Sequence, residues 1–168
     1  MKTLRPEIIR FQSELLTDDS NKTYAKIPTE ISVKLHNMEK LEGTINNHPF
    51  RAKISNNADE ATLRVNAAML RGSKAKIGDN VNFAVLGPES APVISEDMQT
   101  AFEQSPGSLE TWAELTELGQ RDWIRWIEGA KTRETRARRI KRAVDQLEDG
   151  KRRACCVNIN EFMLCQIK

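Results

Sequence analysis

A short unit that occurs twice in the first half of the chain constrains its fold more than any other feature. Each copy is a brief strand that leads at once into a brief helix and then into another strand; the copies cover Tyr24 to Leu35 and Thr62 to Leu70. Pro28 suits a first helical turn, where its missing N–H has no partner, and Asn66 suits an N-cap. Neither copy can bury its apolar face alone, so together they are expected to close a small β-barrel.

Alternating and apolar runs predict further strands around the two copies. These runs are Ile8 to Leu15, Leu41 to Ile45, Phe50 to Ile54 and Val81 to Leu86. Between the middle two, Asn46-Asn47-His48-Pro49 predicts a hairpin loop with an exposed His48, because Asn tolerates positive φ. Gly78-Asp79 predicts a turn in which Asp79 has a structural role.

The pattern changes to helices after Gly87-Pro88-Glu89-Ser90-Ala91-Pro92, where prolines and a glycine mark a domain edge. We therefore predict an α+β protein. Residues 1–87 form a small β-barrel with two short helices, and residues 88–168 form a helical domain with a C-terminal tail. Candidate N-caps of the first three helices are Ser95, Ser108 and Thr116.

The last predicted helix runs from about Arg133 to Glu148 and carries most of the positive charge. Its apolar stripe consists of Ala137, Ile140, Val144 and Leu147. Between Arg121 and Arg153 there are twelve Lys/Arg and six Asp/Glu, a net charge of +6, whereas the rest of the chain has a net charge of −4. This run favours either a solvated helical face or a site for a polyanion such as nucleic acid.

Within the basic run, position on the helix predicts which side chains are exposed. The run comprises Lys131, Arg133, Arg136, Arg138, Arg139, Lys141, Arg142, Lys151, Arg152 and Arg153. Arg138, Arg139 and Arg142 are expected to point away from the stripe, and Arg138 can pair with Glu134 one turn earlier. Arg133 is in line with the stripe, so its stem is expected to be partly covered and its head paired with a carboxylate.

All three tryptophans fall between positions 112 and 126. Trp123 and Trp126 share a helix face with Ile127, which is typical of core packing between helices. The alternative is a stacking platform for bases or for a ligand ring. If Arg133 and Arg136 converged with both tryptophans on a pocket, a small-molecule site would be favoured over a flat polyanion surface.

No recognisable catalytic motif occurs in the chain, so we expect a protein that is not an enzyme. The chain has no Gly-rich phosphate loop and no GxSxG elbow. Three cysteines, Cys155, Cys156 and Cys165, fit a reducing compartment, and their spacing and distance from His36 and His48 predict no metal. We expect no cofactor, no membrane insertion, a cytoplasmic location, and a monomer or small homo-oligomer.

The first half of the chain resembles a small β-barrel domain of unknown function found in bacteria and archaea. The resemblance is carried by Tyr24 to Leu35, Gly43-Thr44-Ile45-Asn46 and Lys76-Ile77-Gly78-Asp79-Asn80-Val81. Ile27-Pro28-Thr29-Glu30-Ile31 and Ile77-Gly78-Asp79 also resemble the AbrB-type barrel repeat. That second likeness implies DNA binding, but AbrB-type binding uses a dimer of swapped barrel halves, and here one chain supplies both copies.

The second half, Leu115 to Gly150, resembles the YdeI/OmpD-associated, or bacteriocin-protection, family. The residues that carry the resemblance are Trp126-Ile127, Ala130-Lys131, Glu134-Thr135-Arg136, Arg138-Arg139-Ile140, Leu147 and Gly150. The resemblance implies an association with stress or bacteriocin tolerance and supplies no catalytic residues.

Two functions follow as hypotheses. The first is a non-enzymatic protein of stress or bacteriocin tolerance that binds an anionic partner through its basic C-terminal helix. Its candidate site residues are Lys131, Arg133, Arg136, Arg138, Arg139 and Arg142, with Trp123 and Trp126. The alternative is a small-molecule-binding or catalytic protein with a pocket between barrel and helices.

Overall fold

The computed structural model describes residues 6–35, 37–57, 60–154 and 158–167, so His36, Cys155 and Cys156 lie outside the described residues. Two compact units are present. One contains the described residues up to Glu89 together with those from Asn160 onward, and the other is Ser90–Ile159. The segment from Asn160, expected to be a tail of the helical domain, thus groups with the first unit.

The first unit is a closed six-stranded antiparallel barrel with strand order β1-β2-β5-β4-β3-β6. Its strands are β1 Ile8–Thr17, β2 Thr23–Ile27, β3 Lys40–Ile45, β4 His48–Asn57, β5 Glu60–Arg64 and β6 Asn80–Leu86. Its two short helices are α1 Thr29–Lys34 and α2 Ala67–Ser73. The predicted α+β fold with an N-terminal barrel is confirmed.

The repeated strand–helix–strand unit is present as β2-α1-β3 and β5-α2-β6. The first strands of the two copies pair with each other, and so do the second strands, with Tyr24 opposite Arg64 and Gly43 opposite Val85. Asn66 caps α2 as predicted, since its Oδ1 accepts the Met69 N–H at 2.9 Å. Pro28 stands one position earlier than predicted, at the N-cap of α1.

The β3–β4 hairpin is tighter than predicted. Only Asn46 and Asn47 form the loop, both with positive φ of 44° and 68°, the conformation of a two-residue type I′ turn. His48 and Pro49 therefore belong to β4, and the prediction of an exposed His48 is wrong. Its ring lies against α2, where a Cβ on Gly72 would come within 2.1 Å of Nδ1.

The barrel interior is packed around aromatic rings. Phe83 stacks on Phe11 with centroids 5.0 Å apart and meets Phe50 edge to face at 6.0 Å. At Gly43 the backbones of β3 and β6 approach so closely that a Cβ would lie 2.1 Å from the Ala84 carbonyl oxygen. Glycine is thus required there by contact rather than by φ.

The second unit contains α3 Glu96–Glu103, α4 Pro106–Glu114, α5 Glu117–Glu128 and α6 Arg133–Glu148. Its core is formed by Met98, Phe102, Trp112, Trp123, Ile127, Ile140, Ala143 and Leu147. The predicted bounds of α6 are confirmed. A further helix, α7 Ile159–Gln166, was not predicted. None of the helices among the described residues is both long and apolar enough to span a membrane.

The predicted helix caps have mixed outcomes. Thr116 caps α5, because its hydroxyl accepts the Gly119 N–H at 3.1 Å. Ser95 stands at the N-cap of α3, but its hydroxyl donates to Asp97 instead of accepting a backbone N–H. The prediction for Ser108 is wrong: α4 begins at Pro106, which is preorganised for a first helical turn, and Ser108 is buried within the helix.

Candidate functional site

Helix α6 positions most of the candidate residues. Thr132 caps it, accepting the Thr135 N–H at 3.1 Å, and the helix then runs without interruption for 16 residues. The predicted apolar stripe is confirmed for Ile140, Val144 and Leu147 and wrong for Ala137, which is exposed, whereas Ala143 is fully buried. Arg136 and Arg139 lie half-buried beside this face. The long apolar stem of an arginine can cover core surface that the methyl group of Ala137 cannot reach.

Arg136 joins α6 to the start of α3 rather than facing solvent. Its Nε lies 2.7 Å from Asp97 Oδ2, and one terminal nitrogen donates to Asp97 Oδ1 at 3.0 Å and to Ser95 Oγ at 2.8 Å. The Arg136 guanidinium and then the Ser95 hydroxyl hold the pKa of Asp97 well below its ordinary value. The same carboxylate raises the pKa of Arg136. This arginine is thus engaged within the unit.

Arg139 is also engaged within the unit, and the prediction that it is exposed is wrong. Its guanidinium carbon lies 5.5 Å from the centroid of the Trp126 ring, and Nη1 donates to the Trp126 carbonyl oxygen. A cation over an indole face and a hydrogen bond to a carbonyl near the end of α5 together favour this half-buried position. Arg139 therefore packs α6 against α5.

Five cations remain exposed, and we call them the basic face: Lys131, Arg133, Arg138, Lys141 and Arg142. Within the described part of the chain, none of the five forms an ion pair. Arg138 reaches only the Thr135 hydroxyl, at 3.4 Å, and does not pair with Glu134. The expectation that Arg133 is partly covered and paired is wrong.

The tryptophans belong to the core of the helical unit. Trp123 is 1% exposed and meets Trp126 edge to face with centroids 6.1 Å apart. Core packing is confirmed for Trp123, which has no face free for a base. Its Nε1 is buried without a hydrogen-bond partner among the described residues. Because Arg133 is exposed and Arg136 is bound to Asp97, these side chains do not converge with the tryptophans on a pocket.

The roles of several residues in this unit were not predicted from the sequence. Ser95 and Asp97 are the partners of Arg136, and the only local signal was a serine followed by acidic residues before an apolar run. Lys141 was recognised in the basic run but not among the candidate site residues, although it is exposed, like Arg142. Among the described residues, no group of His, Cys, Asp or Glu is arranged to hold a metal ion, and Cys165 is an exposed free thiol.

The chain thus consists of a small closed β-barrel joined to a helical unit with a basic face, and each part matches a family. Residues 91–150 match the family described as bacteriocin-protection, YdeI or OmpD-associated. Residues 11–85 match a domain of unknown function, DUF1905. The helical unit thus matches the bacteriocin-protection, YdeI or OmpD-associated family, and the barrel matches the DUF1905 domain. No curated protein matches the sequence.

Proposed function

We propose that this protein is a non-enzymatic binding protein of bacteriocin or stress tolerance that acts in the cytoplasm and holds a polyanion on its basic face. One observation carries the proposal: the five cations of that face have no carboxylate partner among the described residues. Over residues 131–142 the only acidic side chain is Glu134. The family description supports the tolerance role.

The shape of the basic face determines how a polyanion would bind to it. Four of the five cations are exposed on α6 and Lys131 lies just before its N-cap, an arrangement that suits contact with phosphates along a backbone. Binding would gain its free energy from the release of condensed counterions and would not depend on base sequence. With about five phosphate contacts on duplex DNA, log K should fall with log salt at a slope of about −4 to −5.

Fluorescence anisotropy with labelled mixed-sequence DNA and RNA tests this proposal. The variant replaces Arg138, Lys141 and Arg142 with Gln. A matched control replaces three exposed cations of the barrel, Lys22, Arg64 and Lys76, so that both variants lose the same charge. We expect the α6 variant to bind more weakly and its salt slope to flatten by about one unit per lost contact.

Two results would overturn the proposal. One is no binding by the wild-type protein at micromolar concentration in about 50 mM salt, which would leave the basic run as a solvated helical face. The other is an equal loss of affinity in both triple variants, which would reduce the effect to net charge. Tryptophan fluorescence confirms folding of the α6 variant, because all three tryptophans lie in the helical unit.

A further inference from the structure

An open groove of about 580 Å³ lies on the outside of the barrel, where β1, β6 and β3 run side by side. We call it the amide groove; the residues that carry its chemistry are Arg10, Gln12, Thr44, Asn46, Asn82 and Ala84. Strand alternation places them on the outer face, since Phe11 and Phe83 between them point into the core. The volume suits a molecule the size of a phosphorylated sugar or a mononucleotide.

Cross-strand register gives the groove its shape. Arg10 lies opposite Ala84, which in turn lies opposite Thr44 on the other neighbouring strand. Ala84 and Thr44 are small and buried, so they form the floor. Two residues further along the outer faces of β1 and β6, Gln12 lies opposite Asn82. The groove therefore has a cationic end at Arg10 and an amide-lined middle.

Hydrogen bonds within the groove occupy the side-chain oxygens of Asn46 and Asn82 and leave their NH₂ groups available to a ligand. The backbone N–H of Asn82 donates to Asn46 Oδ1 at 2.9 Å, and a backbone N–H can only donate, so the orientation of the Asn46 amide is fixed. Gln12 Nε2 donates to Asn82 Oδ1 at 2.8 Å. The NH₂ groups of Asn46 and Asn82 have no partner among the described residues.

Arg10 adds a charge to these donors. Its exposed guanidinium makes no ion pair or hydrogen bond within the described part of the chain. Glu14 follows Gln12 on the same outer face of β1, two residues further from Arg10, so its carboxylate disfavours an anion at that end. The anionic group of a ligand is thereby directed to the Arg10 end.

We propose that the amide groove binds a small phosphorylated sugar or nucleotide, with the phosphate at Arg10 and the hydroxyl-rich remainder over Gln12, Asn46 and Asn82. A phosphate has three strong acceptor oxygens for a guanidinium fork. Hydroxyl and carbonyl oxygens of the remainder accept from the two unpartnered NH₂ groups. This site is on the barrel and does not depend on the basic face of α6.

Nuclear magnetic resonance of the full chain tests the proposal directly. Side-chain NH₂ signals of Asn46 and Asn82 are followed during titration with ribose 5-phosphate, ribose, inorganic phosphate or gluconate. We expect saturable shifts with ribose 5-phosphate. Ribose and inorganic phosphate should each bind at least about tenfold more weakly, because ribose lacks the phosphate that contacts Arg10 and inorganic phosphate lacks the hydroxyl groups that contact the amides. Gluconate, which carries a carboxylate, is expected to bind more weakly than ribose 5-phosphate.

Substitutions separate this site from general charge effects. Arg10→Gln should weaken ribose 5-phosphate about tenfold or more, since it removes a charge-assisted hydrogen bond. Arg64→Gln, at an exposed arginine on β5 outside the groove, should leave binding unchanged. The triple α6 variant should also leave it unchanged, so the outcome is independent of the function proposed above.

Three results would overturn the proposal: no shift of the Asn46 and Asn82 NH₂ signals with ribose 5-phosphate, equal weakening by Arg10→Gln and Arg64→Gln, or tighter binding of gluconate. Backbone amide spectra of each variant establish that the barrel is folded. Asn82→Thr, which keeps a strand-forming residue at an exposed position, provides a second test and should also weaken binding.

Discussion

The ion pair between Asp97 and Arg136 makes the helical unit sensitive to acid. Folding depresses the pKa of Asp97, so the pair stabilises the unit fully above the ordinary carboxyl value of 3.8, and this stabilisation is lost as the pH falls below that value. Because the pair is partly exposed, we expect Arg136→Gln to cost about 1 kcal/mol at pH 7.

Urea unfolding followed by tryptophan fluorescence at pH 7 and pH 3 measures this effect. The difference in stability between wild type and Arg136→Gln should begin to shrink at pH 3, because Asp97 is then mostly protonated in the unfolded chain and must release its proton for the pair to form. Asp97→Asn and the double variant complete a thermodynamic cycle. A difference that is the same at both pH values would contradict the assigned role of Asp97.

Gly43 and Gly72 of the barrel can be compared, because an added Cβ would meet backbone atoms at Gly43 and a side chain at Gly72. A Cβ at Gly43 would meet backbone atoms of β6, which cannot move without opening the sheet, so we expect Gly43→Ala to destabilise the barrel by about 3 kcal/mol. A Cβ at Gly72 would meet the His48 imidazole as far back as Cγ, so the whole side chain must adopt another rotamer, which costs less than moving a strand backbone. Because alanine also favours the helix by up to about 1 kcal/mol, Gly72→Ala should cost less than Gly43→Ala. Hydrogen exchange of the barrel strands measures both, and equal losses would contradict the distinction.

Individual contacts of the candidate site could not be predicted from the sequence. Helical periodicity placed Arg139 on the exposed side of α6, but its position depends on the Trp126 ring and carbonyl of another helix. Arg136 likewise depends on Asp97, which is 39 residues away in the chain. Periodicity indicates an apolar face only to within a fraction of a turn, and partners on other elements decide the rest.

At the scale of elements, the rotation of α6 has a direct test. Ala137 is exposed and Ala143 is completely buried. We expect Ala137→Gln to change stability by less than about 0.5 kcal/mol. Ala143→Gln should cost about 2–4 kcal/mol, because it overpacks the core and buries an amide. Unfolding monitored by tryptophan fluorescence compares the two, and a larger loss at Ala137 would contradict the observed rotation.

Local chemistry explains which elements were predictable. Caps and tight turns depend only on residues within three positions of one another, so they can be predicted locally. The predicted caps at Asn66 and Thr116 and the predicted turn at Asn46-Asn47 are all present. Ser108 failed as a cap because Pro106 starts the helix earlier. Helix α7 went unpredicted although Ile159, Phe162 and Met163 have the spacing of one helix face.

For the whole molecule, the end of the chain is expected to contribute to the first unit. Met163 in α7 is completely buried, whereas its neighbour Leu164 is 44% exposed, and the segment groups with the barrel. Met163→Ala should destabilise the barrel by about 2–5 kcal/mol, and Leu164→Ala by less than about 0.5 kcal/mol. Hydrogen exchange of the barrel strands provides the measurement. Equal effects would show that α7 does not pack as described.

The strand order of the barrel has a consequence for biosynthesis. Strand β1 has its longest pairing with β6, where Gln12 bonds to Asn82, 70 residues later. A ribosome that adds about 5–20 residues per second produces β6 several seconds after β1. Until then one edge of β1 has no partner strand within its own nascent chain, and such edges favour aggregation. Slow translation through residues 17–80 would prolong this interval.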